Sequence, residues 1–242
     1  MYKKNQPTSY TLGITLTIEL LKTHPELVKM IYCHPEYTGE GLEKIIELVY
    51  ANGIKMTVGT KIFNTLSQKE NCYVIGEFTK FDNPIVKDNN HLVLVNPSDA
   101  GNMGTIMRSA VGFGFNDLVI ITPAVDHYNP KVVRSSMGAI FHLRISTYES
   151  FEAYLDDNLP HDYFPFMLKA KAPLNWEFIP RSAKPVALIF GNEATGLPDS
   201  FLNVGTPLII NHSKAIDSLN LPTAVGIALY EFSKNVFKSK SE

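Results

Sequence analysis

Three stretches of the 242-residue sequence concentrate side chains able to do chemistry. The first runs Asn96-Pro-Ser-Asp-Ala-Gly-Asn-Met-Gly-Thr-Ile-Met-Arg108 and joins two glycines to the carboxamide of Asn102 and the guanidinium of Arg108. Asn102 and Arg108 lie six residues apart, nearly two helical turns, and the spacing predicts that both face one cleft. The glycines do not spell G-x-G-x-x-G, so a dinucleotide fingerprint is absent. Standing alone, the stretch also reads as a plain strand-to-helix turn with a surface arginine. The second stretch, Leu188-Ile-Phe190-Gly191-Asn-Glu193-Ala-Thr-Gly196, ends a buried run in a glycine and then a carboxylate. Gly191 would open backbone groups to a flat ligand, with Glu193 orienting a cation or hydroxyl; the rival reading has Glu193 capping the next turn. The third stretch, Ile209-Ile210-Asn-His212-Ser-Lys-Ala-Ile-Asp-Ser218-Leu219-Asn220, is a long loop into the last helix, where Ser218 and Asn220 also suit helix caps.

The elements that must position these stretches alternate. From Thr11 to Val58 the pattern is helix, strand, helix, strand, with Leu42, Ile45, Ile46 and Val49 at helical spacing and Gly53 as a stop. Strand-like runs fall at Val28–Tyr32, Ile54–Val58 and Cys72–Glu77. The polar stretch Thr79–Asn90 carries no periodicity, which sets a first α/β domain at residues 1–80, a linker at 81–90 and a second domain at 91–242. Strands are expected at His91–Asn96, Leu118–Thr122, Tyr163–Leu168, Val186–Phe190 and Leu208–Asn211. Helices are expected at Asn102–Gly112, Tyr148–Asp157 and from Pro222 to Phe237, while Met1–Ser9 and Lys238–Glu242 read as irregular ends. Such alternation predicts an α/β class with a mainly parallel sheet covered on both faces. In sheets of this kind ligands bind beyond the carboxyl ends of the strands, which is where all three stretches fall.

Taken together and in order, the three stretches resemble the signature motifs of the SpoU (TrmH) family of RNA ribose methyltransferases, within the SPOUT superfamily. Asn102, Gly104, Ile106, Arg108, Ala110 and Gly114 match the first motif; Gly191, Glu193 and Gly196 the second; Ser218, Leu219, Asn220 and Ala224 the third. Val133–Ala139 is similar to the segment the family carries between them, and the resemblance spans about Asn90–Phe237. The resemblance implies a catalytic domain whose C-terminal segment threads a trefoil knot, although general rules of topology disfavour threading. It further implies S-adenosyl-L-methionine as cofactor, held by Phe190, Gly191, Ile210, His212, Ser218 and Leu219. Arg108, Asn102, Glu193, Ser218 and Asn220 would then be the catalytic set, with Arg108 acting on a ribose 2′-hydroxyl. The implied partners are rRNA or tRNA and a second copy in a homodimer, and the N-terminal domain is more loosely similar to a small RNA-binding domain. The sequence departs from the family at the third motif, where Ile210-Asn211-His212 stands for Ile-Pro-Met and Lys214 for a glycine.

Composition sets wider bounds. The 45% apolar and 19% charged content is that of a globular protein, and a formal net charge of −2 requires any phosphate-binding surface to be local. Cys33 and Cys72 are too few for a disulfide framework or a four-thiolate metal site, and the seven histidines are scattered, so no metal is expected. No run of about 20 apolar residues suggests a membrane span, and the start lacks a signal-peptide core, which together predict a cytoplasmic location. Two rival functions remain. One is a catalytically silent RNA-binding module that keeps the fold, for which the altered third motif speaks. The other is an unrelated α/β enzyme acting on a small nucleotide or acyl substrate, but no G-x-x-x-x-G-K-[ST] or G-x-S-x-G occurs.

Overall fold

The computed structural model describes residues 2–66, 72–158, 160–175 and 184–238. Its contacts divide the chain into two units, 1–82 with 126–142 and 83–125 with 143–242.

The first unit opens with β1 (Thr8–Leu12), α1 (Ile14–Thr23), β2 (Val28–Cys33), α2 (Leu42–Ala51), β3 (Met56–Val58), α3 (Lys61–Leu66) and β4 (Val74–Thr79). The four strands form one mixed sheet in the order β1-β4-β2-β3. Two small cores flank it. Leu21, Ile45 and Val49 of α1 and α2 pack with Ile31, Cys33 and Val74, whereas Phe63 of α3 packs with Leu12, Cys72 and Ile75. This division follows from the two-residue period of a strand, which sends neighbours to opposite faces. Where the sequence reading expected an irregular start through Ser9, β1 begins at Thr8 and pairs with β4 along its whole length. Its alternation was masked because Thr8, Ser9 and Thr11 are polar yet buried.

The second unit carries β5 (His91–Val95), α4 (Ala100–Gly112) and β6 (Asp117–Ile121). After α5 (Pro130–Ser135), whose residues belong to the first unit, come β7 (Arg144–Tyr148), α6 (Phe151–Asp157), β8 (Asp162–Pro165) and β9 (Ala172–Pro173). The chain closes with β10 (Val186–Phe190), β11 (Leu208–Ile209) and α7 (Leu221–Lys238). Five strands form a wholly parallel sheet, β7-β6-β5-β10-β8. A parallel sheet buries both faces, which is why the runs HLVLV and DLVII are apolar at nearly every position and are buried throughout. On one face Val93, Val95, Val119, Ile121, Ala187 and Ile189 pack with Phe151 and Tyr154 of α6 and with Phe201. On the other side α4 and α7 pack together, and Phe232 of α7 lies 5.0 Å, centroid to centroid, from Phe164 of β8.

Residues 83–90, read from sequence as part of a linker, are built into this unit. Ile85 is buried in its core, the Val86 N–H donates to Asp117 at 2.8 Å, and the Ile145 N–H donates to the Asn83 carbonyl at 2.6 Å. The amino ends of the strands are closed by a polar network. Arg144 donates twice to Asp117, both at 2.6 Å, and Asn89 donates to the same carboxylate at 3.0 Å. Fully buried His91 bridges the Tyr154 hydroxyl at 2.8 Å and the Val86 carbonyl at 2.9 Å. The carboxyl ends, in contrast, carry open loops.

Candidate functional site

The loop after β5 turns sharply. Asn96 adopts a left-handed φ of 53°, which asparagine tolerates better than most residues. Asp99 then starts α4 as its cap, accepting the Asn102 N–H at 2.7 Å. The loop after β10 approaches itself closely. A Cβ at Gly191 would lie 2.2 Å from the carbonyl carbon of Gly196 and 2.4 Å from the Leu197 nitrogen, so only glycine fits there. The Gly196 N–H closes this turn on the Asn192 carbonyl at 2.9 Å.

Glu193 locks the two loops together. Its carboxylate accepts the Ser98 N–H at 3.1 Å, the Ser98 hydroxyl at 2.8 Å, the Asp99 N–H at 3.1 Å and the Asn102 carboxamide at 3.4 Å. Burial would raise its pKa, but the N–H groups of Glu193, Ser98 and Asp99 and the Ser98 hydroxyl outweigh that and hold it below the usual carboxylate range. It is therefore an anion at neutral pH, and most of its hydrogen bonds reach across to the opposite loop.

Between the loop after β10 and the segment 209–224 lies a cavity of about 310 Å³, within the size range of small-molecule sites. Phe166 and Phe190 stand at its wall with their rings stacked 4.5 Å apart and 3° from parallel. Leu197, Ile209 and Ala224 add apolar surface; Asn192, Glu193, His212 and Ser218 add polar groups. Of the residues singled out in the sequence, the structure brings Phe190, Gly191, Glu193, Ile210, His212, Ser218 and Leu219 to this one cavity. His212 engages the Ile210 carbonyl through Nδ1 at 2.9 Å. Asn102 reaches the cavity wall only through Glu193.

Two residues fall elsewhere. Asn220 is absent from the lining and immediately precedes α7, its carbonyl accepting the Ala224 N–H at 3.0 Å. Arg108 is exposed on α4, away from the lining, and no hydrogen bond or ion pair engages it among the described residues. The expectation that Arg108 shares a side with Asn102 is corrected: six residues at 3.6 per turn leave it about 120° around the helix. Sequence reasoning also missed Ser98, Asp99 and Asn192. Their only signal was their nearness to Glu193 and Asn102 in the motifs, since the contacts themselves cross more than 90 residues.

A parallel sheet with a mostly apolar cavity beyond its carboxyl ends, framed by interlocked loops, defines an α/β protein built to hold a small ligand. The chain belongs to the SpoU rRNA methylase family, whose model matches residues 89–230. It is 30% identical over 137 residues to a 23S rRNA (guanosine(2553)-2′-O)-methyltransferase of Bacillus subtilis, covering 54% of this chain and 53% of that protein. The chain spans about half, or less, of the length of the curated relatives it matches. Its fold matches an AdoMet-bound rRNA methyltransferase from Sinorhizobium meliloti with a TM-score of 0.77 and 24% identity, over 95% of this chain and 88% of that one. It also matches the SpoU methyltransferase AviRb from Streptomyces viridochromogenes with a TM-score of 0.79 and 19% identity, over 96% and 91% of the two chains. The α/β class with a parallel sheet and the SpoU membership read from the motifs both hold. No helix among the described residues is long and apolar enough to cross a membrane.

Proposed function

We propose that this chain transfers a methyl group from S-adenosyl-L-methionine to a ribose 2′-hydroxyl of ribosomal or transfer RNA. The observation that carries the reading is the cavity itself. It gathers residues of the second and third motifs around a largely apolar slot and is latched through Glu193 to the loop of the first. The slot suits an amphipathic ligand with a flat base, because aromatic and aliphatic walls flank a few fixed polar groups. Phe190, Gly191, Ile210, His212, Ser218 and Leu219 would hold the cofactor. When bound, the cofactor supplies a methyl group activated by an adjacent sulfonium.

The protein's share of the chemistry is alignment and charge. A guanidinium has no lone pair to act as a base, so Arg108 serves as a donor that stabilises the developing alkoxide and clamps a neighbouring phosphate, while the hydroxyl proton leaves to solvent. Among the described residues nothing engages its guanidinium, which leaves its five donors for RNA. Asn102 orients the ribose, Glu193 fixes Asn102, and Ser218 and Asn220 hold the third loop at the mouth. Holding the two reactants in line supplies much of the rate.

The working unit in this reading is a homodimer, in which Arg108 serves a cavity that is not walled by its own helix. The exposed side chains Ile227 and Tyr230 on α7, which packs against α4, offer an apolar face for the second copy. The trefoil knot expected from the resemblance fits the strand order, in which β10 enters the sheet between β5 and β8. The reaction takes place in the cytoplasm, with which two buried thiols accord. The two-domain reading with its catalytic part at 91–242 is extended here to begin at Asn83, where the second unit begins.

The test combines calorimetric titration of the protein with S-adenosyl-L-methionine and mapping of 2′-O-methylation in RNA from a strain deleted for the gene. Binding together with one missing methyl mark, restored by the gene, supports the reading. The departure at Ile210-Asn211-His212 favours one rival, a silent RNA-binding module: RNA binding without cofactor binding would establish it instead.

A further inference from the structure

We propose that Asn192 is a positioning residue that sets the geometry of the methyl-transfer site by clamping the loop after β10 onto the loop after β5; this rests on the reading above. The carboxamide uses both its ends. Its nitrogen donates to the Asn96 carbonyl at 2.8 Å and to the Ser98 hydroxyl at 3.3 Å, and lies 3.4 Å from a Glu193 oxygen. Its oxygen accepts the N–H groups of Ala194 at 2.9 Å and Thr195 at 3.2 Å. One side chain thus shapes its own loop and ties that loop to the neighbouring strand end.

The tie matters because of what stands on either side. Asn192 and Glu193 both line the cavity, while Ser98 and Asp99 lead directly into α4, which carries Asn102 and Arg108. The Ser98 hydroxyl is shared: it takes a hydrogen bond from Asn192 and gives one to Glu193. Asn192 therefore fixes the hydroxyl whose donated hydrogen bond aligns Glu193, and Glu193 fixes the first turn of α4. Cofactor-holding and RNA-facing residues are coupled through this carboxamide. Removing it should leave the cavity walls standing yet let the two loops drift apart.

Asn192→Asp is the informative variant. It keeps the acceptor for Ala194 and Thr195 but removes the donor. It also puts a second carboxylate beside Glu193, which raises the pKa of the new acid by like-charge repulsion. Three results are expected. Hydrogen exchange of the unliganded protein, followed by mass spectrometry, should speed up in residues 96–102 and 192–196 while the strands keep their protection. The kcat for methylating total RNA from the deletion strain should fall about 10- to 100-fold at pH 8, with the dissociation constant for S-adenosyl-L-methionine moving far less. The ratio of variant to parent kcat should rise as pH falls from 8 to 6, because protonation of the new acid restores a donor.

Unchanged exchange in residues 96–102 would overturn the clamp. A loss carried wholly by cofactor affinity would overturn its role in positioning. If the parent protein itself neither binds the cofactor nor methylates RNA, the functional reading fails, and the exchange measurement still decides whether the clamp exists.

Discussion

Replacing Gly191 by alanine tests the cavity more sharply than any polar change. The added Cβ would meet the Gly196 carbonyl carbon at 2.2 Å, its oxygen at 2.3 Å and the Leu197 nitrogen at 2.4 Å. All three are backbone atoms of the same loop, so no side-chain rotation relieves the clash. The loop must open by roughly an ångström to restore ordinary contact, and strain of this kind costs about 1–3 kcal/mol. Opening moves residues 191–197 off one wall of the cavity and pulls Glu193 from the Ser98 and Asp99 N–H groups. The loss of those charge-assisted hydrogen bonds adds about 1.5–3 kcal/mol to the stability cost, discounted because Glu193 is only partly buried, while the displaced wall is what weakens the cofactor. Cofactor affinity should therefore drop by at least about 30-fold, which corresponds to about 2 kcal/mol. Calorimetric titration with S-adenosyl-L-methionine measures it directly, and urea unfolding reads the stability change alongside. Gly196→Ala is the matched control: nothing lies near its Cβ, and the cost is only that of a left-handed φ of 68°, about 1–2 kcal/mol of stability. A Gly191→Ala protein that binds cofactor as tightly as its parent would refute the reasoning.

Four further outcomes are expected. Arg108→Ala should lose most turnover, about 100-fold or more, while cofactor affinity stays within about twofold, as measured by single-turnover kinetics and calorimetry; full activity would remove Arg108 from the mechanism. Stability should decline as pH falls from about 6.5 to 4, because burial lowers the pKa of His91 to about 4. The unfolded chain then binds the extra proton in that window, for a loss of about 2–3 kcal/mol visible in urea midpoints and diminished in His91→Gln. Asp117→Asn should destabilise the second unit by about 3 kcal/mol at pH 7 by stranding Arg144, without changing cofactor binding beyond the stability effect. Light scattering at micromolar concentration should return a dimer mass, and a monomer would count against the shared site.

What was legible in the sequence followed from burial. Val186–Phe190 was bounded to the residue because a central parallel strand is apolar on both faces, and Met103, Ile106, Met107 and Ala110 mark the buried stripe of α4. The edge strand β7, Arg144–Tyr148, escaped notice because its residues are mostly half-exposed and mix charge with hydroxyls. The stretch Asp126–His142 gave no hint that it belongs with the first unit, since nothing local encodes a partner so distant in the chain. At the site, the glycines and Glu193 stood out by type, whereas Asn192 and Ser98 acquire meaning only when two loops meet. The side of α4 on which Arg108 lies was within reach of arithmetic; counting six residues as nearly two turns hid a third of a revolution.

The cavity is walled by residues 166–169, 190–199 and 209–224, stretches that meet only after the sheet has closed around β10. A half-assembled molecule has no slot to offer, however much of its secondary structure has formed. Ligand present during refolding would thus select finished chains by mass action, adding RT ln(1 + [L]/Kd) to the native state alone. In that sense the cofactor doubles as an inspector of its own container.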